Sequence, residues 1–175
     1  AEEWLSSLPK HVQLYRALQS TPLLGMYSPT IIPHPADWPS SVHVTGYLLL
    51  DTQPDWQPAP ELERFLAAGE PPVYIGFGSM GGSNPQQLAE LILAALAQSG
   101  QRGLLLTGWG GLRAGSTPDS VFVLDAAPHS WLFGRVAAVV HHGGAGTTAE
   151  GLRAGVPTVV LPFLFDQPFW GARIH

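Results

Sequence analysis

The run His141-His142-Gly143-Gly144-Ala145-Gly146-Thr147-Thr148-Ala149-Glu150 is the densest grouping of chemistry-bearing residues in this 175-residue chain. It reads as a strand end passing through a glycine loop into the start of a helix. Glycine lets the backbone approach a ligand closely, and the unbonded N–H groups of a helix start carry about half a positive charge. Together they form a seat for an anion, worth roughly 0.3–1 kcal/mol to the bound charge and up to ~2 kcal/mol when partly buried. His142 can add a charge-assisted hydrogen bond of roughly 1.5–3 kcal/mol. A plainer reading makes His142 a core histidine satisfied by backbone, and Thr147-x-x-Glu150 a helix capping box. Further on stand Asp166 and Gln167, the first of which also fits a helix N-cap. Ser79 lies in a second glycine loop, Gly78 to Gly82, where a hydroxyl can also serve only its own turn.

Such residues need strands that end where the loops begin. From Thr45 onward, short apolar runs alternate with helical periodicity, the pattern of repeated strand–helix units. Strands are expected at Val73–Phe77, Gly103–Thr107, Val121–Asp125, Val136–His141 and Val156–Pro162. Ser83 or Asn84 can cap a helix with Pro85 early inside it; Leu88, Leu91, Ile92, Ala95 and Leu96 give it one apolar face, and Gly100 stops it. Helices are also expected over Ser130–Phe133, Thr147–Ala154 and Asp166–His175, the last cut off by the end of the chain. Glu61 and Glu63 read as charges that complement a helix start. The expected fold is α/β, a Rossmann-like open parallel sheet with flanking helices, incomplete at both ends. Right-handed crossovers bring the loops that follow the strands to one edge, where ligands bind in such sheets. Residues 1–45 differ. An amphipathic stretch through Trp4, Leu5, Leu8, Val12 and Tyr15 leads into a proline-studded run, Pro22 to Pro39, that cannot sustain a helix or a central strand.

Composition removes whole classes of function. A net charge of −5 with eight scattered basic residues offers no stripe for a nucleic-acid backbone and no polybasic membrane patch. Seven of the eight are arginine, a bias that hints at a GC-rich bacterial genome. The absence of cysteine excludes disulfides, thiolate metal sites and cysteine nucleophiles. No apolar run approaches the ~18 residues of a membrane helix, and no secretory leader is visible at Ala1. No Asp-x-Asp pair or histidine–carboxylate cluster has metal-ligand spacing, so no metal is expected, and no cofactor is assigned. Glycine 20 and proline 17 make about a fifth of the chain, which predicts many turns and ligand-hugging loops.

Several separate motifs carry a resemblance. VYIGFGSM at 73–80, PHSWLF at 128–133, HHGGAGTT at 141–148, LRAGVP at 152–157 and PFLFDQPFWG at 162–171 stand in the order and spacing of UDP-glycosyltransferases. From about Pro33 to His175 the chain resembles the C-terminal, donor-binding half of these two-domain GT-B enzymes, closest to their bacterial and sterol-glucosyltransferase branch. The resemblance implies a UDP-sugar as donor, inverting transfer of a hexose such as glucose, and a small hydrophobic acceptor such as a sterol or other lipid. It implies that His142, Ser79, Gly144, Gly146 and Thr147 contact the donor diphosphate, that Glu150 accepts from the ribose hydroxyls, and that Asp166 and Gln167 read the sugar. Residues 1–45 then correspond to the end of an acceptor domain and a connector, and 46–175 to the nucleotide-sugar domain. The general base, a histidine usually paired with an aspartate, belongs to the missing acceptor domain, so catalytic residues in this chain stay unassigned; His11, His34, His43 and His175 do not fill the gap. A cytoplasmic setting and possible peripheral membrane contact follow from the same resemblance.

The sequence also departs from the family. Ala126 stands where plant members carry the tryptophan that stacks on uracil, and His129 where they carry glutamine, which leaves Ala127, His129, Trp109 and Trp131 as candidates for the base, and UDP against TDP open. An aromatic after a strand also serves as core or loop anchor. Two rival readings remain. Gly76-x-Gly78-x-x-Gly81 spells a dinucleotide fingerprint, although Leu106, Thr107 and Gly108 stand where its ribose-binding acid belongs. The other rival is a non-catalytic half-module that binds a nucleotide sugar without turning it over.

Overall fold

A computed structural model of the chain describes residues 21–78, 84–106 and 117–175. The amphipathic stretch from Trp4 to Tyr15, Ser79 with its loop, and Trp109 lie outside the described residues. The chain forms two compact units, Ala1–Leu48 and Leu49–His175.

In the first unit, β1 (Leu23–Gly25) and β2 (Val42–Val44) pair in parallel, Leu23 opposite Val42. A three-residue strand thus forms within the proline-rich run. It does so at the edge of a two-stranded ladder, the position proline-rich sequence tolerates.

The second unit follows the strand–helix alternation. In chain order it contains α1 (Pro60–Ala67), β3 (Val73–Gly76), α2 (Pro85–Ser99), β4 (Gly103–Leu106), β5 (Val121–Leu124), α3 (His129–Leu132), a 3-10 turn (Phe133–Arg135), β6 (Ala138–His141), α4 (Ala145–Ala154), β7 (Thr158–Val160) and α5 (Gln167–Ile174). All the pairings are parallel, and the strand order is β5-β4-β3-β6-β7. The chain builds outward from β3 to β5, then returns to the other side of β3 with β6. That reversal is a topological switch point, between β3 and β6.

Alternation along the strands feeds two cores. Tyr74, Leu104 and Val139 pack with Leu62 of α1, Leu132 of α3 and Phe133, while Ile75 and Leu105 pack with Phe77 and with Ala89, Ile92 and Leu96 of α2. Burial on both faces is what the near-continuous apolar strands require. The expected strand at 136–141 begins only at Ala138, and the one at 156–162 covers Thr158–Val160, with Val139 and Leu161 amides extending its bonding to Pro157 and His141 carbonyls. Asn84 rather than Ser83 caps α2, its side chain accepting from the Gln87 amide at 3.1 Å, and Gly100 ends the helix at φ +64°. Both glutamates of α1 lie in its first turn as anticipated.

Candidate functional site

His141 ends β6 directly opposite Gly76, the last residue of β3. His142 follows in the loop after β6, half-buried. A Cβ added to Gly144 would stand 2.6 Å from its Nε2, and one added to Gly78 would stand 3.5 Å from its Cε1. The imidazole therefore lies against the start of α4 and faces the loop after β3. Its Nδ1 is buried without a hydrogen-bond partner among the described residues. Burial pulls its pKa down and the Asp166 carboxylate partly offsets that, so the ring is neutral near pH 7. A neutral imidazole donates through one nitrogen, and an arriving anion favours the charged form.

Helix α4 opens two residues earlier than the sequence pattern suggests. Its N-cap is Gly144 in extended conformation, with no side-chain cap. The first helical bond is the Thr148 amide to the Gly144 carbonyl at 3.0 Å, which the Thr148 hydroxyl also reaches at 3.0 Å. The amides of Ala145, Gly146 and Thr147 precede it and have no partner within the helix. Thr147 sits in the third helical position, so the capping-box reading of Thr147 and Glu150 is overturned. Glu150 is freed for another role: its side chain is 13% exposed, and its Oε1 lies 3.8 Å from Arg153, whose other end bonds Asp51 at 2.5 Å.

The Phe163–Gln167 loop is more constrained than its residue types suggest. Gln167 is buried and its Oε1 accepts from the amides of Phe163 (2.7 Å) and Leu164 (3.0 Å). That bracket holds Phe165 at φ +57°, a left-handed conformation unusual for an aromatic residue. Of the Gln167 side chain expected to read the sugar, the acceptor oxygen is thus committed to the loop, and the amide nitrogen takes no part in that turn. Asp166 is exposed and precedes α5 without capping it. Its Oδ2 instead accepts from the Trp170 indole at 2.7 Å.

The candidates for base recognition separate. Ala127 follows β5 at the same sheet edge as His142, half-buried beside the first core. His129 stacks on Phe133 at 4.6 Å and its Nε2 bonds the Tyr74 hydroxyl at 3.1 Å, so that nitrogen is spent inside the fold. Burial, and then His142, pull the pKa of His129 down. Trp131 points elsewhere. It packs on Trp56 at 5.1 Å under the Arg135 guanidinium, in a groove bordered by Pro71, which precedes β3, and by Arg135, which precedes β6. That groove opens at the N-terminal edge of the sheet, so the anchor reading of Trp131 replaces the base-binding one.

Sequence reasoning missed His141. It is fully buried at the strand end, and its Nδ1 accepts from the Gly143 amide at 3.0 Å. The doubled histidine before two glycines was the available signal.

An open parallel sheet whose reversal of strand order is flanked by glycine loops is the architecture of nucleotide-binding α/β domains. Residues 110–175 match the family model described as the erythromycin biosynthesis protein CIII-like C-terminal domain. Sterol 3-beta-glucosyltransferase UGT80A2 of Arabidopsis thaliana is 50% identical over 151 residues, 86% of this chain and 24% of that protein. O-mycaminosyltylonolide 6-deoxyallosyltransferase of Streptomyces fradiae is 46% identical over 166 residues, 95% of this chain and 38% of that protein. Among solved structures, the glycotransferase of kitacinnamycin superposes with a TM-score of 0.64 at 25% identity, over 86% of this chain and 39% of its own. The fold is shared as well by Arabidopsis thaliana UGT89C1 complexed with UDP, with a TM-score of 0.60 at 23% identity over 76% of this chain and 35% of its own. The chain spans about a quarter to two fifths of the length of these relatives. Its similarity is to the C-terminal part of glycosyltransferases, and it shares their fold.

Proposed function

We propose that this chain is the donor-binding part of an inverting glycosyltransferase that moves glucose from a UDP-sugar to the hydroxyl of a sterol or similar small hydrophobic acceptor. The observation that carries the reading is the imidazole of His142, held between Gly78 and Gly144 at the uncapped start of α4. The name of the sterol 3-beta-glucosyltransferase relative, 50% identical, supports glucose as the sugar and a sterol as the acceptor class. The UDP complex of a protein with the same fold supports the nucleotide.

In this reading the diphosphate rests on the amides of Ala145, Gly146 and Thr147, with His142 donating to it. Glu150 accepts from the ribose, and Asp166 with the amide end of Gln167 meets the sugar. The acceptor oxygen forms a bond to the anomeric carbon as the bond to the diphosphate oxygen breaks on the opposite face. The hydroxyl proton goes to a base supplied by the acceptor domain. Negative charge grows on the leaving diphosphate, so donors already aimed there lower the barrier, each 1.36 kcal/mol giving about tenfold in rate. Protein donors neutralise that charge without a divalent ion. We assign the protein to the cytoplasm, where nucleotide sugars are supplied.

Calorimetry of the full-length protein with UDP, TDP, UDP-glucose and NAD tests the donor class. UDP and UDP-glucose are expected to bind, and His142→Ala to lower turnover by about 10- to 1000-fold. Binding of NAD alone, or near-normal transfer by His142→Ala, overturns the reading.

A further inference from the structure

We propose that His141 is a positioning residue of this site: its neutral imidazole, protonated at Nε2, holds the Gly143 amide and so the turn that presents His142 and the first amides of α4. The inference rests on the donor-site reading for its ligand, but its geometry is independent of that reading.

His141 is held by the sheet on both sides, opposite Gly76 of β3 and Val160 of β7, and its carbonyl accepts from Leu161. With the backbone fixed, the ring can reach only its own neighbourhood, and Nδ1 closes a two-residue turn onto Gly143. Gly143 needs that help. It is buried at φ +90°, and a Cβ there would stand 2.7 Å from Val160 Cγ1 and 3.0 Å from the Gln167 carbonyl oxygen. The turn is thus wedged against β7 and the start of α5. If the imidazole acceptor were removed, a buried N–H would lose its partner.

Packing does not account for the residue. Nε2 is buried without a partner among the described residues, and a buried polar group in that state costs stability that an apolar side chain would not. What the imidazole contributes is the acceptor at Nδ1. Accepting there requires the proton on Nε2. Protonating the ring turns the acceptor into a second donor, facing the Gly143 N–H, and unties the loop. The titratable groups that bear on the ring are His142 in the loop and His129 on α3; Tyr74 of β3 bonds the latter, and Asp166 before α5 faces the former. Burial, reinforced by both histidines, brings the pKa of His141 down to about 4, which keeps the acceptor form at neutral pH.

The test compares side chains that keep or lose the acceptor, in the full-length protein at pH 7. Asparagine presents Oδ1 near the place of Nδ1, so His141→Asn should bind UDP within about threefold of the parent. His141→Leu should lose about tenfold or more, with a melting temperature close to that of the parent because the unpaired Gly143 N–H and the removed unpaired Nε2 offset each other. If His141→Leu binds as well as His141→Asn, or if melting falls while affinity holds, the residue is only structural and the proposal fails. Two further readouts separate this failure from that of the donor reading. Nitrogen-15 spectra of the histidines should show the Nε2–H tautomer at His141, and the Gly143 amide should shift in step with His141 protonation; an Nδ1–H tautomer overturns the proposal even if nothing binds. UDP affinity should rise as acidification charges His142 and fall as it charges His141. His142→Ala should remove the rise and His141→Asn the fall. Absence of UDP binding in the parent refutes the donor reading alone, and the tautomer then decides for His141.

Discussion

Glu150 shows how far one residue's meaning depends on a neighbour's backbone. As part of a capping box it would stabilise a helix start; with Gly144 as the cap, its carboxylate is released from that duty and lies 3.8 Å from Arg153. Glu150→Ala should therefore weaken nucleotide binding by about tenfold or more, the value of a hydrogen bond to a charged group, and leave thermal stability nearly unchanged. Calorimetry and a melt on the same sample check both halves. A fall in melting temperature with unaltered affinity would return Glu150 to the helix. Gln167 teaches the opposite lesson: its type suits sugar recognition, yet its oxygen is used to hold the Phe163 and Leu164 amides.

Among elements, α2 and α4 divide the work of the sheet's loop edge. Helix α2 is finished at both ends, with the Asn84 side chain at its start and Gly100 in left-handed conformation at its end. Asn84→Ala should cost about 1 kcal/mol in urea unfolding with UDP affinity unaffected. A loss below a few tenths of a kcal/mol would show that the cap contributes nothing. Helix α4 has the same glycine stop at Gly155 but no side chain over its first amides. Any side chain at Gly144 would collide with His142. The missing cap leaves the helix less stable than it could be and leaves its partial positive charge for a ligand.

For the molecule as a whole, burying histidines makes stability depend on pH. His141 titrates near 6.5 in an unfolded chain and at about 4 when folded, so the unfolded chain binds more protons between these values. Its contribution is present above about pH 6.5 and is lost as pH falls toward 4, a difference on the order of 3 kcal/mol. His129 and His142, both shifted down by burial, act in the same direction. Urea unfolding at pH 7.5 and pH 5 should show the loss. Equal stability at the two values would mean that His141 is not buried uncharged.

Much of the fold is legible in the residues alone. Strand–helix alternation determined the α/β class, Pro85 and Gly100 bounded a helix, and the glycine loops marked one edge of the sheet, because these signals are local and their periods survive in any context. The reach of side chains was not local. Trp131 and His142 both follow strands or border loops, yet one packs at the far edge and the other stands beside Gly78 and Gly144, and only the strand order could separate them. His141 looked like a duplicate of its neighbour, because a strand pattern does not show which of two adjacent imidazoles turns inward. The sequence alone determined which loops could meet an anion. Tertiary structure decided which side chains point into that meeting and which hold the backbone in place, since that choice depends on pairing and packing between segments far apart in the chain.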